Sequence, residues 1–376
     1  MPSPSYRLGD EGPAVAEIRA RLAQLRLLPG EGAGSEFDAE CDRAVRTFQQ
    51  GRGLSVDGIV GPDTYRALDE ARWRLGDRIL TYSLSNQQVG DDVAALQRRL
   101  NELGFDGGRT DGVFGAATDR AVRDFQRNVG LRDDGTCGPS TFKALDRLAR
   151  TVVGGRAHAL REAELLRVAG PRLPGKVVVI DPGHGGADRG NVGGGLEEVE
   201  IVTDLAGRVE GRLAATGVTV YLTRGPAGAL DDLERALFAN TTGADVVVSL
   251  HVDANHSPHA NGVATYYFGT EEPTGHGHSA AGERFAGILQ REIVARTDLR
   301  DCRTHAKTWD LLRYTRMPAV RLELGYLSNS GDAARLADPD FRDVVAEAIV
   351  VSVQRLYLPT DMDSPTGFLR LGHLTP

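Results

Sequence analysis

The chain has 376 residues, more than one ordinary hydrophobic core accommodates, so two or three domains are expected. Hydrophobic residues at 41% and charged residues at 26% are the balance of a globular protein and exclude a disordered or fibrous chain. A net charge of −8 without a Lys/Arg-rich block excludes nucleic acid and anionic membrane as main partners. No uncharged run approaches the roughly 20 residues of a bilayer span, so no transmembrane segment is expected. The N-terminus, Met1-Pro2-Ser3-Pro4-Ser5-Tyr6-Arg7, shows no basic region followed by an apolar one, which predicts a cytoplasmic protein. Cys41, Cys137 and Cys302 are odd in number, scattered and without C-x-x-C spacing, as expected of buried thiols in a reducing compartment.

The first 150 residues contain an internal repeat. Arg43-Ala44-Val45-Arg46-Thr47-Phe48-Gln49 is echoed by Arg120-Ala121-Val122-Arg123-Asp124-Phe125-Gln126, and Asp57-Gly58-Ile59-Val60-Gly61-Pro62 by Asp134-Gly135-Thr136-Cys137-Gly138-Pro139 at the same offset. Each copy opens with Gly-Asp (Gly9-Asp10, Gly90-Asp91), followed by apolar residues at helical spacing: Val15, Ile18 and Leu22, then Val93, Leu96 and Leu100. A second helix carries the Ala-Val-Arg-x-Phe-Gln stretch, and a turn leads into a third helix with proline in its first turn. Each copy is therefore expected to be a small three-helix bundle, with Phe48 and Phe125 as core residues.

These motifs resemble the peptidoglycan-binding domain 1 family over residues 6–70 and 87–147. The resemblance implies binding to cell-wall fragments or precursors, or service as a protein-docking surface. Residues 148–173 read as a helical linker, with a helix over Ala157 to Val168 ended by Gly170-Pro171.

From Lys176 the pattern changes to short apolar strands alternating with helices: Val177–Ile180, Val218–Leu222 and Val246–Leu250, with helices over Ile201–Ala214 and Leu233–Asn240. This predicts an α/β domain with a mostly parallel sheet flanked by helices. Ile180 runs into Asp181-Pro182-Gly183-His184-Gly185-Gly186, and Leu250 runs into His251. Histidines directly after buried strands sit at the carboxyl edge of a sheet, where such folds hold ligands. Two of them with carboxylates at hand are the donor set of catalytic zinc. Glu197, Glu198 and Glu200 are candidates for a third ligand, and composition does not choose among them. In Val320-Arg321-Leu322-Glu323-Leu324-Gly325-Tyr326-Leu327-Ser328-Asn329, Glu323 interrupts what otherwise reads as a buried strand; an acid there is costly unless paired or metal-linked.

This combination resembles the amidase 3 family of zinc N-acetylmuramoyl-L-alanine amidases over residues 176–357. The resemblance implies one zinc ion, with His184, Glu198 and His251 as ligands and Glu323 as the catalytic carboxylate. It implies hydrolysis of the amide between the lactyl group of N-acetylmuramic acid and the L-alanine of the stem peptide. Leu222-Thr223-Arg224, Glu234-Arg235, Ala239-Asn240 and Met317-Pro318-Ala319-Val320 are further landmarks of that family. His276 and His278 fall in a polar, glycine-rich stretch at 269–280 expected to be a loop near the site.

The whole arrangement resembles a group of actinobacterial amidase-like regulators. This implies an alternative: a cytoplasmic protein, phosphorylated by a Ser/Thr kinase, that stimulates UDP-N-acetylglucosamine enolpyruvyl transferase and hydrolyses weakly or not at all. Residues 358–376, with Pro359, Pro365 and Pro376, read as a flexible tail in which Thr366 is the candidate phosphoacceptor, ahead of Thr360 and Thr375.

Overall fold

The computed structural model describes residues 5–30, 34–149, 157–270, 277–358 and 363. The chain divides into two compact units, Met1–Arg161 with Gly269–His278, and Glu162–Phe268 with Ser279–Pro376.

In the first unit, α1 (Pro13–Gln24), α2 (Ala39–Gly51) and α3 (Pro62–Ala71) surround one core, and α4 (Asp91–Glu102), α5 (Ala116–Asn128) and α6 (Pro139–Ala149) surround another. Val15, Ile18, Leu22 and Phe48 fill the first core; Val93, Leu96, Leu100 and Phe125 fill the second. The helical spacing of these residues places them on one face of each helix, and both phenylalanines are buried. Cys41 and Cys137 lie in the same cores as free thiols.

A buried glutamine ties each helix pair to its turn. Gln49 Nε2 donates to Asp57 Oδ1, the Ile59 carbonyl and Thr64 Oγ1, while its Oε1 accepts from Gly58 N. Gln126 repeats this with Asp134, Thr136, Thr141 and Gly135. Gln97 does so with Asp111, Val113, Thr118 and Gly112. The sequence Asp-Gly-x-x-Gly-x-x-Thr therefore occurs three times, at 57–64, 111–118 and 134–141. Its first glycine stands at φ 74° in all three copies, a left-handed conformation that a side chain would strain.

A helix α7 (Ala157–Ala169) precedes the strands. Next come β1 (Val177–Pro182), the two-stranded ribbon β2 (Val192–Gly193) and β3 (Leu196–Glu197), α8 (Glu198–Ala215), β4 (Thr219–Leu222), α9 (Asp232–Thr241) and β5 (Val246–Asp253). Then follow β6 (Val263–Phe268), α10 (Ala280–Arg296), β7 (Asp301–Lys307), α11 (Asp310–Tyr314), β8 (Ala319–Tyr326), α12 (Ser330–Ala337) and α13 (Pro339–Leu356). The main sheet has the order β4-β1-β5-β8-β6-β7. Neighbours pair in parallel except β6 with β8, because β6 and β7 run opposite to the other four. The fold is thus the expected α/β type with a mostly parallel sheet. The two reversed strands and α10 fall in stretches for which the sequence had suggested no element. No described helix is long and apolar enough to cross a membrane.

Strand alternation separates two faces. Val178, Ile180, Val248, Leu250, Leu322 and Leu324 pack under α8, α10 and α13 in the largest core. The opposite face begins apolar, with Val179, Val247, Ala319 and Phe268 packed against Ala239 of α9 and Leu312 of α11. Further along, the same face turns polar. Asp181, Ser249, Arg321, Tyr266 and His305 stand in one cross-strand row, and His251 and Glu323 form a pair in the next.

Replacing Gln126 with Leu orphans the buried acceptor and donor groups of its turn, so the variant should lose about 1–3 kcal/mol in urea unfolding. Arg123→Ala, which removes an ion pair with Asp119 and a hydrogen bond to the Asp133 carbonyl at the surface, should lower the urea midpoint less than Gln126→Leu does.

Candidate metal centre at the sheet edge

β1 delivers a loop whose geometry is fixed from behind. Asp181, fully buried, accepts from Ser249 Oγ (2.6 Å), Thr223 Oγ1 and Arg235 Nη1. Burial alone would raise its pKa, but the Arg235 charge and the two hydroxyl donors hold it below the usual carboxylate range. Arg235 also donates to the carbonyls of Pro182 (2.8 Å) and His184 (2.7 Å), and Arg224 to those of Pro182 (2.9 Å) and Gly183 (2.6 Å). Within the sequence landmarks Thr223-Arg224 and Glu234-Arg235, the two arginines therefore clamp the Pro182–His184 backbone, Thr223 holds the Asp181 carboxylate, and Glu234 caps α9 with Asp231. Asn240 does similar work elsewhere: Nδ2 donates to the Tyr314 carbonyl and Oδ1 accepts from Arg316 N, fixing the approach to β8.

The clamped loop holds His184 at φ 58°, a left-handed conformation unusual for a residue other than glycine. Two glycines permit the crowding around it. A Cβ on Gly183 would fall into the His251 ring, and one on Gly190 would come within 2.6 Å of His184 Cδ2 and 2.7 Å of Glu198 Oε2.

His184, Glu198 and His251 are brought together, with donor atoms all within 4.8 Å of one another. Glu198 Oε1 faces His184 Nε2 at 3.1 Å and His251 Nδ1 at 2.9 Å. The two imidazoles meet edge to face, with centroids 5.0 Å apart. Glu198 opens α8 and is completely buried, whereas Glu200 is exposed and Glu197 pairs with Arg189. Burial thus separates the three acids that the sequence left open.

Two residues that sequence reasoning did not single out orient this group. Asp188 Oδ2 contacts His184 Nδ1 at 2.7 Å, which turns Nε2 toward Glu198. Asn191 donates its backbone N–H (2.9 Å) and Nδ2 (3.0 Å) to Glu198 Oε2, leaving Oε1 to face the histidines. Asp188 was accessible as a carboxylate four residues from His184; Asn191 carried no signal.

Electrostatics suit a cation here. Burial would raise the Glu198 pKa, but hydrogen bonds from both histidines and Asn191 depress it well below the ordinary range. Burial and the Arg321 charge push His251 down to about 4, so its imidazole is neutral with a lone pair to give. His184 is raised by its hydrogen bond to Glu198, against the effect of burial. Zinc bonds of about 2.0–2.1 Å place tetrahedral donors about 3.3 Å apart, close to the 3.1 and 2.9 Å that separate Glu198 Oε1 from the two histidines, and two imidazoles with a carboxylate are a donor set that fits this ion.

Glu323 stands beside His251 in the parallel β5–β8 register and is 8% exposed. Burial, together with Asp253 and Glu198, pushes its carboxyl up to about 7, although Arg321 pulls it down. Arg321 Nε and Nη2 approach Glu323 Oε1 at 2.8 and 2.7 Å. Among the described residues Glu323 Oε2 accepts no hydrogen bond.

Among the described residues no other histidine joins the group. His256 and His259 are exposed, and His305 stacks on Tyr266 with Nε2 against the Cys302 carbonyl. His276 lies outside the described residues; the neighbouring Gly277 N–H donates to the Thr110 carbonyl within the first unit.

Residues 178–355 match the N-acetylmuramoyl-L-alanine amidase family, and residues 11–68 and 89–145 match a peptidoglycan binding domain family. The chain is 47% identical to N-acetylmuramoyl-L-alanine amidase CwlM of Mycobacterium tuberculosis, over 100% of this chain and 96% of that protein. It is 34% identical to N-acetylmuramoyl-L-alanine amidase LytC of Bacillus subtilis, over 46% of this chain and 34% of that protein. Among solved structures, the catalytic domain of the amidase CwlV from Bacillus (Paenibacillus) polymyxa var. colistinus is 35% identical, covering 47% of this chain and 96% of that one with a TM-score of 0.43. With a relative matched from end to end, the chain belongs to the N-acetylmuramoyl-L-alanine amidase family.

Proposed function

We propose that the protein is a zinc-dependent N-acetylmuramoyl-L-alanine amidase that cleaves the amide between the muramic lactyl group and L-alanine. Its two N-terminal modules bind peptidoglycan fragments or precursors. The observation that carries this reading is the convergence of His184, Glu198 and His251 beside a buried, partly free Glu323.

His184, Glu198 and His251 hold one zinc ion. When bound, zinc polarises the lactyl carbonyl and acidifies the attacking water. Asp188 and Asn191 keep the three donors aimed. Glu323 Oε2 accepts the proton that the water loses as its oxygen bonds the carbonyl carbon. The same proton then passes to the leaving nitrogen as the C–N bond breaks. The products are a muramoyl carboxylate and a stem peptide with a free α-amine.

A second reading makes the protein a cytoplasmic regulator that senses precursors and stimulates UDP-N-acetylglucosamine enolpyruvyl transferase after phosphorylation. One observation favours it: Arg321 engages the carboxylate that hydrolysis requires. Its phosphoacceptor, Thr366, lies outside the described residues, as do Thr360, Thr375 and almost all of the 358–376 tail.

Peptide release from soluble muropeptides by zinc-loaded protein tests the first reading. Glu323→Gln should lower turnover by about 10²–10⁴-fold, and absence of release from the zinc-loaded wild type would overturn the hydrolase. The base works only when ionised, so activity should be lost as pH falls through a midpoint of about 7 or lower, because a bound cation can only depress the Glu323 value. A kcat/KM profile checks this limb. Zinc in thousandfold excess over its Kd should stabilise the fold by about 4 kcal/mol, seen as a rise in Tm that a chelator reverses and His184→Ala abolishes.

A further inference from the structure

The Arg321–Glu323 pair differs from the other buried ion pair on this sheet face. Asp181 and Arg235 are closed in: their side chains are 0% and 4% exposed, both Asp181 oxygens accept, and the guanidinium reaches three backbone carbonyls as well as the carboxylate. Arg321 keeps 22% of its side chain exposed, and both of its contacts go from one guanidinium edge to a single oxygen of Glu323. Among the described residues its Nη1 donates to nothing. Its flat face lies over Trp309 at 4.6 Å, and Lys307 Nζ stands 5.8 Å from the same indole. Trp309 leans on Tyr266 of β6, which pairs with Arg321 of β8 on one side and with His305 of β7 on the other. A cationic and aromatic strip thus runs along the sheet from Glu323, away from the edge where β1 and β4 lie.

Such a strip suits an anionic group on a substrate. A guanidinium is always charged and presents a planar fork matched to a carboxylate. Drawing Glu323 away from it leaves a largely buried guanidinium without its only hydrogen-bonded carboxylate among the described residues, which is unfavourable unless another anion arrives. Exchange of one carboxylate for another meets that condition, and a neutral carboxamide does not.

We propose that Arg321 recognises a carboxylate on the peptide side of the scissile amide, and that in taking it up Arg321 releases Glu323 to act as the base. Arg321 is thereby both the specificity determinant for an acidic stem peptide and the positioning residue of Glu323. The proposal rests on the amidase reading for the second role only; recognition of the carboxylate stands without turnover.

The test uses the full zinc-loaded chain with N-acetylmuramoyl-L-alanyl-D-glutamate and the same compound with both carboxylates converted to carboxamides. Calorimetric Kd values are measured first, for wild type, Arg321→Lys and Arg321→Leu. The wild type should bind the acid about 10- to 100-fold more tightly than the amide, the range of a charge-assisted hydrogen-bonded contact. Arg321→Leu should treat the two alike within about threefold, and Arg321→Lys should keep part of the preference, since it retains charge without the fork. Equal or absent binding of the two compounds by the wild type overturns recognition, as does a full preference in a folded Arg321→Leu variant. Should that variant not fold, the wild type and Arg321→Lys still decide: undiminished preference with lysine contradicts the forked contact. Peptide release is then followed on both compounds. Amidation should lower kcat as well as raise KM in the wild type; a change in KM alone contradicts the release of Glu323. No release of either compound, alongside a clear binding preference, removes the hydrolase reading and leaves the carboxylate site.

Discussion

Asp181 has no exposed surface and lies at the point where β1 stops being a strand, and the site depends on how its charge is satisfied. A buried carboxylate is tolerated only with a partner of opposite charge and good hydrogen bonds. Arg235, Ser249 and Thr223 supply them from α9, β5 and the end of β4. Since Arg235 also grips the Pro182 and His184 carbonyls, satisfying the charge and shaping the loop are one set of bonds. The left-handed backbone at His184 persists because it is over-determined in this way. Through Asp188 the same loop sets the imidazole facing Glu198.

Division of labour along the strands explains why this does not cost the fold its core. β1, β5 and β8 each commit their first residues on the α9/α11 side to apolar packing and their last residues to polar work, while β6, running the other way, puts its last residue Phe268 into the apolar part; the other face stays apolar under α8, α10 and α13. The polar row at the carboxyl ends is therefore carried on a rigid platform, and its members reach each other through strand register. Catalytic and recognition groups placed this way keep their spacing better than groups on loops.

Much of this was legible in the sequence, for reasons that differ by residue. His184 and His251 stood out as a pair: either alone reads as readily as a structural or surface residue, whereas two histidines at the carboxyl edge with carboxylates at hand point to a metal. Glu323 stood out because a lone acid inside a strand demands a partner. Glu198 was distinguishable from Glu197 and Glu200 only through family resemblance, since burial, which separates them, depends on how α8 meets the sheet. Arg321 was invisible as a functional residue: in Val320-Arg321-Leu322-Glu323 it reads as ordinary alternation, and its meaning comes from Trp309 and Tyr266 on other elements. β7 was missed because Asp301–Lys307 is a mostly polar edge strand, and β6 because Val263–Phe268, although mostly buried, mixes Ala, Thr and Tyr and lacks the unbroken aliphatic run of the other central strands. The repeat in the first unit was plain, but the third Asp-Gly-x-x-Gly-x-x-Thr at 111–118 was overlooked, although Gln97 uses it as Gln49 and Gln126 use theirs.

The account stands on three side chains forming a zinc site, and an anomalous difference map from crystals of the zinc-loaded protein, recorded on either side of the zinc edge, tests that most directly. A single peak bounded by His184, Glu198 and His251 is the predicted result. Zinc held by other residues, or no peak between these three, would contradict it.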